Sequence, residues 1–215
     1  MADGRRSWRF DGQILGVGTT SGTRVVVGHW WRSPFGAFAD AMVEEMPGRR
    51  VLVAPTAVAA FVAATYRFDE VVEADVHVHT GRDARGGRRL AVAGGPLELR
   101  ADVGRRTAVG HLLRLLPPAW ATSPAFSLVT DPVARLMMDG VRTRGVAGPG
   151  RRESYGATDV RHVVAVCAAW DGADLGALAP VDPPVRFGFG STPRRPSLTR
   201  VVTTVRETGR GDPPH

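Results

Sequence analysis

The sequence predicts a single α+β domain built on an antiparallel β-barrel or a cone-like curved sheet, with about three helices. Short runs rich in β-branched residues recur along the chain, separated by turns that contain glycine or proline. No internal repeat or long linker divides the 215 residues, and their hydrophobic share of 43% suits one sizeable core. We expect residues 1–9 to form a flexible leader, 10–206 the domain and 207–215 a disordered tail.

The first half of the chain predicts four strands in two pairs. Two apolar runs flank the polar segment 19–23, a pattern typical of a β-hairpin. Residues 38–45 could form a helical turn or an outer strand, and we favour the strand because Pro47-Gly48, which follows, is a dipeptide that favours a turn between two strands. The predicted strands of this half cover residues 13–18, 24–31, 38–45 and 51–54.

Residues 55–66 predict the first helix. The segment is rich in alanine, which has the highest helix propensity, and Thr56 is placed to cap its start. The stripe expected to face the core consists of Val58, Phe61, Val62 and Thr65.

The second half predicts further short strands and two more helices. The apolar run 163–170 contains the single cysteine, Cys167, so we expect a buried and unreactive thiol. The remaining predicted elements are helices over 106–116 and 124–138 and strands over 71–79, 89–93, 97–100, 160–170, 185–189 and 198–205.

His77 and His79 stand two residues apart in a predicted strand, so their side chains share one face. Such a pair can supply two metal ligands. The same alternation places Val76 and Val78 on the buried face, which leaves the histidines in solvent. We therefore favour the solvent-facing interpretation and predict no metal site.

Arginine supplies all 28 basic residues, because the chain contains no lysine. The absence of lysine excludes Schiff-base catalysis, pyridoxal phosphate attachment and a lysine-bearing phosphate loop. The formal charge of +7 raises nucleic acid as a partner, but the arginines are spread without a block. A GC-rich genome also explains why arginine takes the place of lysine, so the positive charge alone does not indicate a nucleic-acid partner. Nucleic-acid binding therefore stays the third interpretation of the function.

No apolar run approaches the roughly 18 residues that a membrane helix needs. The N-terminal residues carry positive charge without an apolar stretch behind them, which argues against a signal peptide. We therefore expect a cytoplasmic protein without a membrane partner, and self-association is left open.

Residues 140–162 gather more chemically capable side chains than any other stretch, and 150–156 is the part on which we focus. Glycine and proline shape this predicted loop. Arg151 or Arg152 could clamp a carboxylate. Glu153 and Tyr155 share one side and could act as base and acid. The alternative is a surface ion pair of Glu153 with a nearby arginine.

Phe187 and Phe189 stand two residues apart, so they would share one face of a strand. They are expected in the core or in the wall of an apolar cavity. This leads to an alternative function, a non-catalytic binder of an apolar small molecule, with Trp30 and Trp31 also lining the cavity.

Residues 33–45 and the Gly-Arg-Arg-Glu-x-Tyr-Gly segment at 150–156 resemble the acetoacetate decarboxylase-like group, whose fold is a β-cone. The resemblance implies that Asp40 or Glu44 lines one end of the cone, together with the charged residues of 150–156. The catalytic lysine of that group is missing, so its imine-dependent decarboxylation is not expected here.

The function expected from these observations is binding of a small carboxylate or keto-acid metabolite in a barrel cavity, without a cofactor. Arg151 or Arg152 would hold the carboxylate, and Glu153 with Tyr155 would transfer protons. A reaction, where one occurs, would be lyase, hydratase or isomerase chemistry that needs no imine.

Overall fold

Strands dominate the computed structural model, which describes residues 6–82, 86–115, 144–146, 151–187 and 192–207. The side chains of residues 144–146, 151–153 and 155 lie outside this description. The strands are β1 (Ser7–Thr19), β2 (Arg24–Arg32), β3 (Phe38–Glu44), β4 (Arg50–Ala54), β5 (Glu70–Glu73), β6 (His77–Arg82), β7 (Arg88–Gly94), β8 (Leu97–Arg106), β9 (Arg144–Val146), β10 (Arg151–Trp170), β11 (Ala173–Asp174), β12 (Leu178–Ala179) and β13 (Ser197–Glu207). The helices are α1 (Thr56–Thr65) and α2 (Ala108–Leu115).

The sheet curls into a half-barrel whose strands follow the order β5-β4-β3-β2-β1-β13-β10-β8-β7-β6. Neighbours along this path are antiparallel, except β4 and β5, which are parallel. Three short strands lie beside the path, with β9 and β11 paired to β10 and β12 paired to β1. The structure confirms a strongly curved sheet, as the expected cone-like fold requires, in a chain that is mostly β.

The two ends of the path come together through side-chain packing. The edge strands β5 and β6 follow each other in the chain and are joined by residues 74–76. Gly95 turns the chain from β7 to β8 with a φ of +53°. A Cβ at Gly95 would lie only 3.2 Å from Val53 and 3.3 Å from Val72. The β7–β8 turn therefore packs on β4 and β5, which completes the curl.

Alternation along the strands divides the buried side chains between an inner and an outer face. One apolar cluster takes residues from both arms of the curl, including Val27, Val53 and Leu99, so it fills the interior. Two other clusters, which include Phe10, Trp30 and Leu52, cover the outer face beneath α1. We call these the inner core and the outer core.

The two helices confirm the predictions in outline. Val58, Val62 and Thr65 of α1 are buried and Phe61 is half-buried, as the stripe predicts. Thr56 does not cap α1, because Pro55 is the N-cap residue and no side chain caps the helix. In α2 the hydroxyl of Thr107 accepts a bond from the Gly110 amide at 2.9 Å, which caps that helix. Neither helix is long and apolar enough to cross a membrane.

Several predicted elements differ from the structure. Residues 151–156, expected in a loop, belong to β10, the 20-residue strand. Residues 7–9 of the expected leader are the start of β1, where they pair with β13. Residues 185–187 do not form the expected strand. The helix expected over 124–138 lies outside the described residues.

Cys167 is exposed, so the prediction of a buried thiol is wrong. The apolar run around it suggested burial on both faces of a strand. In β10, however, Val163 and Ala168 are buried while Val164 and Cys167 are exposed. An apolar run indicates a strand but does not show whether both of its faces are covered.

An exposed thiol leads to a simple prediction. The native protein should react with a thiol-specific chromogenic reagent at one equivalent per chain, because Cys167 is the single cysteine. The rate should match that of the chain unfolded in denaturant to within about tenfold. A thiol that reacts only after denaturation would contradict the exposed position, and Cys167→Ser provides the blank.

His77 and His79 are exposed and Val76 is buried, as the strand alternation predicts. Within the described ranges, no group of three histidine, cysteine, aspartate or glutamate residues is placed to hold a metal ion.

Candidate functional site

A cavity of about 1000 Å³ opens on the inner face of the half-barrel. Six arginines and two aspartates are among the residues that line it, a formal surplus of four positive charges. The remaining lining residues are polar or apolar, with one histidine and one tryptophan. The charged lining residues are Arg9, Arg88, Arg106, Arg114, Arg161, Arg200, Asp11 and Asp159.

The cavity continues the inner core along the same faces of the same strands. Leu15 of β1 lies in the inner core, and Gln13, two residues earlier, lines the cavity. Val27 of β2 also belongs to the core, and His29 and Trp31 follow at the same spacing in the cavity. Because side chains alternate along a strand, these residues share one face. The inner face thus changes from apolar to polar along its length.

Asp159 is the carboxylate that holds two of the cavity arginines. Arg106 donates to its two oxygens at 2.7 and 3.1 Å, a bidentate pair. Arg161 Nε lies 3.5 Å from Asp159 Oδ2. Burial raises the pKa of Asp159, but the bonds and charges of these arginines outweigh it and hold that pKa below its usual range. A β-bulge between Ala157 and Asp159 changes the direction of β10 at this point.

Arg88, Gln13 and His29 form a chain of hydrogen bonds on the cavity floor. Arg88 Nη2 donates to Gln13 Oε1 at 3.0 Å, and Gln13 Nε2 lies 3.4 Å from His29 Nδ1. An arginine can only donate, so Gln13 turns its oxygen to Arg88 and its amide N–H to His29. His29 Nδ1 therefore accepts, and the proton of the neutral ring sits on Nε2. Burial lowers the pKa of His29, which keeps the ring neutral near pH 7.

Arg88 has no carboxylate partner among the described residues. Its Nε is buried and has no hydrogen-bond acceptor there. Burial lowers the pKa of the Arg88 guanidinium, and the charges of Arg161 and Arg200 lower it further against the opposing effect of Asp159. A half-buried cation beside two other cations is an incomplete arrangement that an anion would complete.

Trp31 supplies a flat wall beside these charges. The Arg200 guanidinium carbon lies 5.1 Å from the centre of the Trp31 ring, a cation–π contact. The His29 ring meets Trp31 edge-on, with 6.0 Å between centroids. Leu198 and Val202 add apolar surface. The cavity therefore offers both cationic and apolar contacts.

Asp40 lies on the opposite, outer face of the sheet. It is 3% exposed, lines a cavity of about 40 Å³ beneath α1 and accepts a 2.9 Å bond from the indole of Trp30. Burial raises the pKa of Asp40 to about 7, although the indole bond opposes this. Gly28 makes room for the pair, because a Cβ there would lie 2.5 Å from Trp30 Nε1 and 2.6 Å from Asp40 Oδ1. The Thr203 hydroxyl, in the same cavity, is buried without a partner among the described residues.

Glu44 is fully buried, and two arginines and a backbone amide occupy its oxygens. Arg24 Nη2 lies 2.9 Å from Oε1, and Arg24 is itself buried. Arg186 donates to Oε1 at 2.8 Å from its side chain and to Oε2 at 2.7 Å from its amide. This arrangement ties β2 and β3 to the segment after β12. Asp40 and Glu44, expected at one end of the cone, are therefore outside the inner cavity.

Arg151, Arg152, Glu153 and Tyr155 lie at the start of β10, several residues before the cavity-lining Asp159. Their backbones pair with β13, where Glu153 stands opposite Val205 and Tyr155 opposite Thr203. Their side chains are outside the described part of the chain, so their clamp and acid–base roles stay predictions.

Trp30 and Trp31 face opposite sides of the sheet. Trp30 belongs to the outer core with Phe187, whereas Trp31 lines the inner cavity. These residues therefore do not line one common apolar cavity. Phe187 is buried, in agreement with the core interpretation, and Phe189 lies outside the described residues.

Of the residues that meet in the inner cavity, the stretch 140–162 contained Asp159 and Arg161, but the sequence did not single out the others. Arg88, Arg161 and Arg200 come from β7, β10 and β13, and Gln13 and His29 from β1 and β2. One signal was available in the sequence. Strand alternation puts Gln13 on the same face as the core residue Leu15, and His29 on the same face as Val27. It becomes informative only when the strand order is known.

No family model and no curated protein matches the sequence. A solved structure with some likeness is a protein of Nitrosomonas europaea provisionally assigned as AttH. It is 11% identical, and the match covers 99% of this chain with a TM-score of 0.33. The chain spans 55% of that protein's length. The resemblance to the acetoacetate decarboxylase-like group is thus unconfirmed, and the curled half-barrel sheet is what the structure establishes.

Proposed function

We propose that this protein binds a small carboxylate or keto-acid metabolite in the inner cavity. The observation that carries this proposal is Arg88, which is half-buried and whose Nε has no acceptor in the described part of the chain. A buried donor without an acceptor costs about 1–3 kcal/mol. A carboxylate would supply the acceptor and the counter-charge together, in the planar geometry that a guanidinium matches.

The apolar part of the cavity supports an organic ligand over an inorganic ion. Trp31, Leu198 and Val202 line it together with the arginines. A hydrocarbon or planar portion of the ligand would pack on these side chains while its carboxylate meets Arg88. Contacts of this kind contribute about 25 cal/mol for each Å² of apolar surface removed from water.

His29 is the group that suits a keto acid. Its neutral ring lines the cavity and carries its proton on Nε2, so it can donate to a carbonyl oxygen. A neutral donor of this kind could stabilise an enolate without forming an imine, and this is compatible with a chain that lacks lysine. Lyase, hydratase or isomerase chemistry is the class we propose.

The decisive variant is Arg88→Gln, tested by calorimetry and thermal shift against a panel of carboxylates and keto acids. Loss of one charge-assisted contact of about 1.5–3 kcal/mol should weaken binding roughly 10–100-fold. Arg100→Gln is the matched control, because Arg100 is exposed on β8 between the inner-core residues Leu99 and Ala101 and so faces outward. If the wild type binds none of the acids, or if both variants bind alike, the proposal is wrong.

A further inference from the structure

The six cavity arginines fall into two groups by their partners. Arg106 and Arg161 share the single carboxylate of Asp159. The other four form no ion pair with any residue in the described ranges: Arg9, Arg88, Arg114 and Arg200. The unpaired group carries more positive charge than one carboxylate ligand can balance.

The unpaired charges lie at two depths. Arg88 is half-buried and bonded to Gln13, which is 6% exposed and forms part of the floor. Arg9, Arg114 and Arg200 are exposed, as expected for residues at the mouth. A ligand that reaches from the floor to the mouth would meet guanidinium groups at both of its ends.

Repulsion within the cavity adds to this argument. Burial is the main cause that lowers the pKa of the Arg88 guanidinium, and the charges of Arg161 and Arg200 lower it further while Asp159 opposes them. One negative charge at Arg88 would relieve only part of that repulsion. A second negative group would reach Arg200, whose guanidinium is already oriented by Trp31 at 5.1 Å.

We infer that the ligand of this cavity carries at least two negative charges, one held at Arg88 on the floor and one at Arg200 near the mouth. Dicarboxylates with an apolar body belong to this chemical class. The inference deepens the proposed function and rests on it, because both place the ligand in the same cavity.

Matched pairs of acids test the inference by calorimetry at 0.15 M ionic strength. Adipate and hexanoate share a six-carbon chain and differ by one carboxylate. Phenyl phosphate carries its charges on a single group, so it tests whether the two charges must be separated. Adipate should bind about tenfold tighter than hexanoate or more, the ratio that one added charge-assisted hydrogen bond gives. Adipate should also bind more tightly than phenyl phosphate, because only adipate can place a negative group at each of the two arginines.

The arginine variants then locate the second charge. Arg200→Gln should lower adipate affinity about tenfold and leave hexanoate affinity nearly unchanged, whereas Arg88→Gln should weaken both. Arg200 is exposed, so the fold should tolerate its replacement, and circular dichroism with an unchanged melting curve checks this. Arg9→Gln provides a second variant at the mouth.

The two hypotheses fail in different ways. If hexanoate or phenyl phosphate binds as tightly as adipate, or if Arg200→Gln weakens all three equally, the inference is overturned and the proposed function stands. If no organic anion binds the wild type at all, the proposed function itself is overturned.

Discussion

Glu44→Gln should lower the free energy of unfolding by about 3–5 kcal/mol, the range for breaking a buried ion pair from one side. The substitution leaves the Arg24 guanidinium buried without a counter-charge, because Glu44 Oε1 lies 2.9 Å from Arg24 Nη2 and neither side chain is more than 2% exposed. Arg24 also has a buried Nε without an acceptor among the described residues, so it has little to replace the lost carboxylate. Urea denaturation followed by circular dichroism measures the change.

Two further variants separate the buried charge from a general effect on packing. Glu45→Gln removes the neighbouring carboxylate, which pairs with the 51% exposed side chain of Arg49, and should cost less than about 1 kcal/mol. Arg24→Met combined with Glu44→Leu removes both charges and should recover much of the stability that Glu44→Gln loses. A Glu44→Gln protein as stable as Glu45→Gln would contradict this account.

The free energy of unfolding of the wild type should depend on pH between about pH 4 and pH 7, and Asp40→Asn should remove this dependence. The pKa of Asp40 is raised from 3.8 to about 7, so the folded state holds a proton that the unfolded state has released. The stability associated with this proton is fully present below about pH 4 and is lost as pH rises towards 7. The loss is on the order of 4 kcal/mol, from about three pKa units at 1.36 kcal/mol each.

Asparagine keeps an oxygen for the indole of Trp30 and cannot ionise. Asp40→Asn should therefore be more stable than the wild type at pH 8, with a smaller difference or the reverse at pH 4. Asp69→Asn serves as the control, because bonds from Arg50 lower the pKa of Asp69 to about 2 and its stabilisation is lost only in more acidic solution. Parallel stability curves for the wild type and Asp40→Asn from pH 4 to 8 would rule out the raised pKa.

Local signals in the sequence were sufficient for much of the fold. The hairpin between β1 and β2, the strands β3 and β4 and the helix α1 each follow from a short stretch whose residues agree on one structure. Residues 151–156 were misjudged because glycines and charged side chains are typical of loops. In the structure this segment is fixed by pairing with β13, a partner about 50 residues away that no local pattern reveals.

The candidate site was harder to predict for the same reason. Arg88, Arg161 and Arg200 lie on three strands that are neighbours only in the folded sheet or across its curl. The arginine-rich composition also hid them, because a surplus spread over the whole chain gives no reason to choose three residues. Asp40 was found through the resemblance to a family, and its buried position beneath α1 required the structure.

The place of β13 in the sheet has a consequence for how the protein is made. Residues 197–207 are the last described strand, yet they pair with β1 on one side and β10 on the other. A ribosome adds about 5–20 residues each second, so the centre of the sheet is completed roughly ten seconds or more after β1 is made. Until β13 is made, the two arms of the sheet are not joined at its centre. The edges of β1 and β10 are then unpaired in the nascent chain and can pair with another chain. The danger of aggregation is therefore greatest during synthesis, before the last strand joins the two arms.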